Sequence, residues 1–122
     1  MIVRKAGDHV VKATPYGEVR EVLRGDDYAA LTLAVVLNAR PSGAHYHQTF
    51  DEIYLLLDGS LTVRFHDPTT EQTWEESLNA NEVCVITKGI HYRITQASDR
   101  NRLCAIAIPR YDPADDLVSE SL

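Results

Sequence analysis

The sequence predicts an all-β protein, a sandwich or barrel of mainly antiparallel strands. Three observations carry that expectation. Short β-rich runs follow one another, turn residues separate them, and helical periodicity is nearly absent. Strand also follows strand with no room for the crossover helices that a parallel sheet needs. The expected strands are Val10 to Thr14, Glu18 to Leu23, Ala30 to Asn38, His45 to His47, Glu52 to Asp58, Ser60 to His66, Thr73 to Leu78, Glu82 to Ile86, His91 to Gln96 and Arg102 to Ile108.

The punctuation between these runs has a physical basis. Asp58-Gly59 marks a tight hairpin because glycine accepts a positive φ, so Leu55 to Phe65 reads as one hairpin. Asp67-Pro68-Thr69-Thr70 starts a turn with the φ of proline already fixed, and Pro41-Ser42-Gly43-Ala44 ends a long apolar strand just before the first histidine of interest. Ala97-Ser98-Asp99-Arg100-Asn101 separates the last two strands, and the tail from Asp112 to Val118 hints at a helical turn or an ordered arm.

The 122 residues suit one domain with its own core. We expect a barrel core at about 30–109, N-terminal strands within 1–29 and a C-terminal arm at 110–122. Acidic residues outnumber basic ones 18 to 12, for a net charge of −6, and no basic stripe exists that could neutralise a phosphate backbone. Nucleic acid is therefore not an expected partner. The first residues lack the apolar core of a signal peptide and no run is long enough to span a bilayer, so no membrane partner is expected and the cytoplasm is the expected address. Cys84 and Cys104 each sit in an apolar run without Cys-x-x-Cys spacing and read as small buried hydrophobes.

The segment that carries chemistry runs from His45 to Gly59. Side chains alternate along a strand, so His45 and His47 point to one face and can share an ion. Glu52 lies an odd number of residues further on, so Gln48 to Asp51 must bend to bring its carboxylate back, with Asp51 as the alternative carboxylate if that loop is tighter. A further ligand is expected from a remote strand, and His91, after Lys88-Gly89-Ile90, is placed to supply it. Three imidazoles and a carboxylate suit one divalent first-row transition metal. His9 and His66 belong to no pattern and read as solvent-facing.

These residues resemble the cupin superfamily. Its first motif, His-x-His, three or four residues, Glu, six residues, Gly, matches His45, His47, Glu52 and Gly59 in full. Its second, roughly Pro-x-Gly, two residues, His, is matched less closely by Thr87-Lys88-Gly89-Ile90-His91, with Thr87 in place of proline and a loop one residue short. The resemblance covers about residues 30 to 109. It implies a double-stranded β-helix (jelly-roll) cupin barrel whose ion, Fe, Mn, Zn or Ni, is held by His45, His47, Glu52 and His91.

Four protein ligands leave an octahedral ion two open positions, which suggests catalysis on a small molecule. Strand alternation expects Tyr54 and Leu56 on the inward face with Glu52, and Arg93 and Thr95 with His91. Arg93 would then grip an anionic substrate by a two-point contact, and Tyr54 would orient it or transfer a proton. The apolar runs Ala30 to Leu37 and Arg102 to Ile108 would form the pocket walls. The expected function is a metal-dependent oxygenase, or a Lewis-acid isomerase, cyclase or lyase. The alternative is a non-catalytic small-molecule-binding barrel with a structural metal. The resemblance also implies a homodimer, in agreement with the outward residues Ile53, Leu55 and Leu57, which need cover.

Overall fold

A computed structural model describes all 122 residues. Eleven strands form: β1 Val10–Thr14, β2 Gly17–Leu23, β3 Thr32–Leu37, β4 His45–Tyr46, β5 Asp51–Asp58, β6 Ser60–Asp67, β7 Gln72–Asn79, β8 Val83–Ile86, β9 His91–Ala97, β10 Arg102–Ile108 and β11 Leu117–Val118. They build a six-stranded sheet in the order β1-β2-β3-β10-β5-β8 and a five-stranded sheet in the order β11-β4-β9-β6-β7. Every pairing is antiparallel, and the two sheets face each other as a jelly roll.

Strand alternation decides which residues enter the core. From β5 and β10, Tyr54, Leu56 and Leu103 turn inward, while from β6 and β9, Leu61, Val63, Phe65, Tyr92 and Ile94 meet them across the sandwich. Leu56, Val63 and Tyr92 have no exposed surface at all. At about 25 cal/mol per Å² of apolar area, each such side chain contributes roughly 1.5–3 kcal/mol to burying the interior. The intervening residues of β5 face away, and across from them on β8 Val83 and Val85 remain 54% and 60% exposed.

Two turns fix the strand ends. Asn101 is buried, accepts the amide of Ala39 through Oδ1 and donates through Nδ2 to the carbonyls of Ala39 and Ser98. It ties the start of β10 to the chain leaving β3. The Asp58-Gly59 turn joins β5 to β6 as the sequence requires, with Gly59 at φ 88°. A Cβ there would stand 2.5 Å from Ser98 Oγ and 2.6 Å from the Arg100 carbonyl. Gly59→Ala therefore combines a left-handed backbone with a clash against main chain, and is expected to destabilise the fold by about 2–4 kcal/mol. Urea unfolding measures this, and a loss under about 0.5 kcal/mol, the range of an ordinary surface change, would contradict the packing described.

The thiols behave as expected of buried groups: Cys104 is buried, Cys84 half-buried, and burial pushes Cys84 up to about 11. His66 departs from expectation. It is only 7% exposed, flanked by His91 on β9 and by Thr73 on β7. No helix of the chain is long and apolar enough to cross a membrane.

Candidate metal centre

His45 ends the Pro41 to Ala44 turn and opens β4, while His47 follows β4 where the chain leaves the sheet. The spacing of two keeps both imidazoles on one face, with ring centroids 5.3 Å apart. His47 is 4% exposed and firmly oriented. Its Nδ1 lies 3.0 Å from the Asp115 carbonyl, so that nitrogen carries the proton and Nε2 is left with its lone pair toward the interior. Burial lowers the affinity of His47 for a second proton. This is the neutral state a metal ligand needs.

The bend over Gln48 to Phe50 is held by a carboxylate from the tail. Both amides, Gln48 N and Thr49 N, and the Thr49 hydroxyl donate to the Asp115 carboxylate. The Thr49 hydroxyl is the main reason the Asp115 carboxyl sits below its ordinary range, with burial opposing. The bend returns Glu52 to the site, its Oε2 3.6 Å from His47 Nε2. Burial pushes the Glu52 carboxyl up to about 7, the charge of Asp116 adds to the rise, and hydrogen bonds from the Tyr92 and Tyr54 phenols oppose it. Asp51 takes no part in the centre; its Oδ1 accepts the Lys88 amide and pins the turn before β9.

Two side chains that the sequence reading passed over complete the centre. Asp116 joins His45 and His47, the donor atoms of all three lying within 4.8 Å of one another. It comes from the tail, just after the short 3-10 turn Pro113–Asp115. Tyr92 faces inward beside them, its hydroxyl 2.8 Å from His47 Nε2 and its ring 4.3 Å from that of His45. An imidazole pair with a carboxylate at this spacing fits a divalent first-row ion, and Glu52 stands near enough to add a second carboxylate.

His91 and Arg93 are not brought to this centre. The register pairs Phe65 with Tyr92 and His66 with His91, so Tyr92 and Ile94 take the inward positions of β9 while His91, Arg93 and Thr95 take the outer face. His91 bonds through Nδ1 to Ser119 Oγ at 2.6 Å and stacks on Tyr46 with ring centroids 4.1 Å apart. Burial, then the neighbouring His66, lower its proton affinity. The expectation that His91 completes the ligand set and that Arg93 grips a substrate beside the ion is corrected by this alternation. With two residues, Ile90 and His91, left between, the position after Gly89 that the motif gives to histidine is Tyr92, so the second motif is full length with tyrosine in its last position. Tyr54 does face inward, 7% exposed, on the wall of the cavity.

That cavity is about 570 Å³ and reaches from the centre toward β2 and β3. Leu33, Val36, Leu103, Ala105 and Ala107 form its apolar wall, with Arg40 among its polar residues. Small alanines on β10 leave the space that larger side chains would fill. Its volume is that of a site for a small organic molecule.

No protein-family model matches the sequence, and no curated protein matches it. Solved structures do. The capsular polysaccharide assembling protein CapF from Staphylococcus aureus shares 18% identity at a TM-score of 0.68, over 91% of this chain and 33% of CapF. A variant of Bacillus subtilis oxalate decarboxylase shares 14% at a TM-score of 0.78, over 92% of this chain and 30% of the enzyme. A Drosophila melanogaster CENP-C domain shares 13% at a TM-score of 0.71, over 86% of this chain and 76% of that one. The chain thus spans about a third of the length of CapF and of the decarboxylase. Two facing antiparallel sheets, the inward His45 and His47 and these likenesses together establish that the chain has the jelly-roll fold of the cupins.

Proposed function

We propose that the chain is a metal-dependent cupin enzyme acting on a small organic molecule held in the barrel. The observation that carries this reading is the convergence of His45, His47 and Asp116 within 4.8 Å on the wall of a 570 Å³ cavity. Glu52 supplies a further carboxylate. A bound divalent ion would provide Lewis acidity or, for iron or manganese, electron transfer. The chain's own groups do the rest. The apolar wall excludes water and orients the carbon skeleton, Asp115 and the Thr49 loop hold His47 in its metal-binding tautomer, and the Glu52 carboxyl can hold or release a proton near neutrality. The Tyr54 and Tyr92 phenols lie beside that carboxyl and favour its ionised form.

Elemental analysis of protein purified without a metal-affinity tag is the first test. About one equivalent of a transition metal per chain is expected. Iron or manganese directs the search to oxygen uptake on turnover, and zinc or nickel to isomerase, cyclase or lyase assays. A protein that stays metal-free after reconstitution contradicts the reading.

A second reading, a non-catalytic binding module, is favoured by one observation. The Drosophila CENP-C domain, which this chain matches over most of its length, also has a structure bound to CAL1. The outer face of the six-stranded sheet here presents Ile53, Leu55, Ile106, Val83 and Val85 side by side. We infer that a second copy of the chain covers this face, since a contiguous apolar surface on a sheet is seldom left in water. Light scattering is expected to give a dimer that Val85→Lys converts to monomer; a wild-type monomer at micromolar concentration rules the interface out.

A further inference from the structure

The outer face of the five-stranded sheet carries a cationic cluster that the metal centre leaves unexplained. Register places Arg64 directly opposite Arg93, and His66 directly opposite His91. Cross-strand partners of this kind hold their Cβ atoms about 5 Å apart, and like charges so placed are destabilising. Neither arginine belongs to the chain's ion pairs. Arg93 Nε is buried and has no acceptor. The acidic neighbours are Glu75, opposite Arg64 on β7, and Glu71, whose carboxylate lies 3.7 Å from His66 Nε2 rather than on a guanidinium. In a chain of net charge −6, Arg64 and Arg93 thus stand side by side with neither guanidinium in an ion pair and Arg93 Nε without an acceptor.

The histidines add oriented donors. His66 and His91 approach edge to face with ring centroids 5.9 Å apart. His66 Nδ1 is engaged by the Thr73 hydroxyl at 2.9 Å and His91 Nδ1 by the Ser119 hydroxyl at 2.6 Å. When Ser119 donates to Nδ1, the proton of His91 sits on Nε2 and is available to a ligand. Ser119 is itself fixed, its amide donating to the Ala44 carbonyl.

We propose that Arg64, Arg93 and His91 form a binding site for a small oxyanion, a phosphate or a carboxylate, on the outer face of the five-stranded sheet, on the opposite side of β9 from Tyr92 and the metal centre. A guanidinium matches two oxygens of such an anion at once, and the second arginine removes the like-charge penalty by sharing the same ligand. The site is independent of the metal centre.

Inorganic phosphate and acetate, each titrated at constant ionic strength into ¹⁵N-labelled full-length protein, test the proposal through the Nε–H resonances of the arginines. The Arg93 resonance is expected to move saturably with at least one anion, and the anion with the lower midpoint identifies the ligand class. Arg93→Lys keeps the charge but removes the planar fork, and Arg64→Ala changes an exposed residue that the fold does not need. Each is expected to raise the midpoint about tenfold. No saturable shift with either anion overturns the proposal. So does a midpoint unchanged in both variants, which would mean that the anion binds elsewhere, for example on the metal.

Discussion

His47→Ala and Asp116→Asn are each expected to weaken divalent-metal binding by more than about 100-fold, whereas His91→Ala leaves it within about threefold. Loss of an outer hydrogen-bond partner alone costs 10–100-fold, and removal of a ligand costs more. The three substitutions separate two ligand sets. In the one implied by motif spacing, His91 is indispensable and Asp116 irrelevant. In the one built by the fold, Asp116 converges with His45 and His47, and His91 is occupied with Ser119 and Tyr46 on the other face of β9. Asp116 is exposed, so its conversion to asparagine tests ligation with little effect on folding. His47 is buried and its loss removes the hydrogen bond to the Tyr92 hydroxyl, so far-UV circular dichroism and a melting curve should accompany that variant. Metal content after reconstitution, or competition against a chromogenic chelator, supplies the affinities. If His91→Ala strips the metal and Asp116→Asn does not, the centre described here is wrong.

Much of the fold was legible because alternation and turn chemistry are local properties. The expected strands coincide with observed ones to within a few residues, from β1 through β10, since β-branched runs bounded by glycine, proline and asparagine have few other solutions. The His45-x-His47 pair was legible for the same reason. The face of β9 was not, because a side chain's direction depends on where a strand begins. The Thr87 to Ile90 turn makes His91 the first residue of β9 on the outer face, and the register with β6 then propagates that choice to Arg93 and Thr95. Asp116 was illegible for a different reason. Nothing in the tail identifies a ligand until Asp115 anchors it on the Gln48 to Thr49 amides and the two-residue β11 pairs with β4. That is a contact between residues far apart in sequence, and no spacing rule encodes it. Tyr92 lay in between: its position two residues beyond Gly89's immediate neighbours carried a signal, but the nearer histidine drew the motif to itself.

The environment of Glu52 leads to a pH dependence of definite sign. Its carboxyl titrates at about 7 in the folded chain against an ordinary value of 4.5, chiefly because burial disfavours the charge. Below about pH 4.5 the group is protonated in both folded and unfolded chains and does not discriminate between them. As pH rises from there through 7, the unfolded chain ionises first and metal-free protein loses stability, by about 3 kcal/mol once both forms are ionised. A divalent ion reverses the preference, because it favours the carboxylate over the acid. Metal binding should therefore release a proton below pH 7, and apparent affinity should rise by up to about tenfold per pH unit until the group is ionised. His47, which burial keeps neutral, adds a dependence at its own lower range, so the clean measurement is the difference between wild type and Glu52→Gln. Urea unfolding of chelator-treated protein between pH 5 and 8 is expected to show the stability of wild type falling relative to that of the variant as pH rises, the histidine contribution being common to both. Equal slopes would mean that Glu52 is solvated and ionised throughout, and that the second carboxylate of the centre is not held as the barrel's interior suggests.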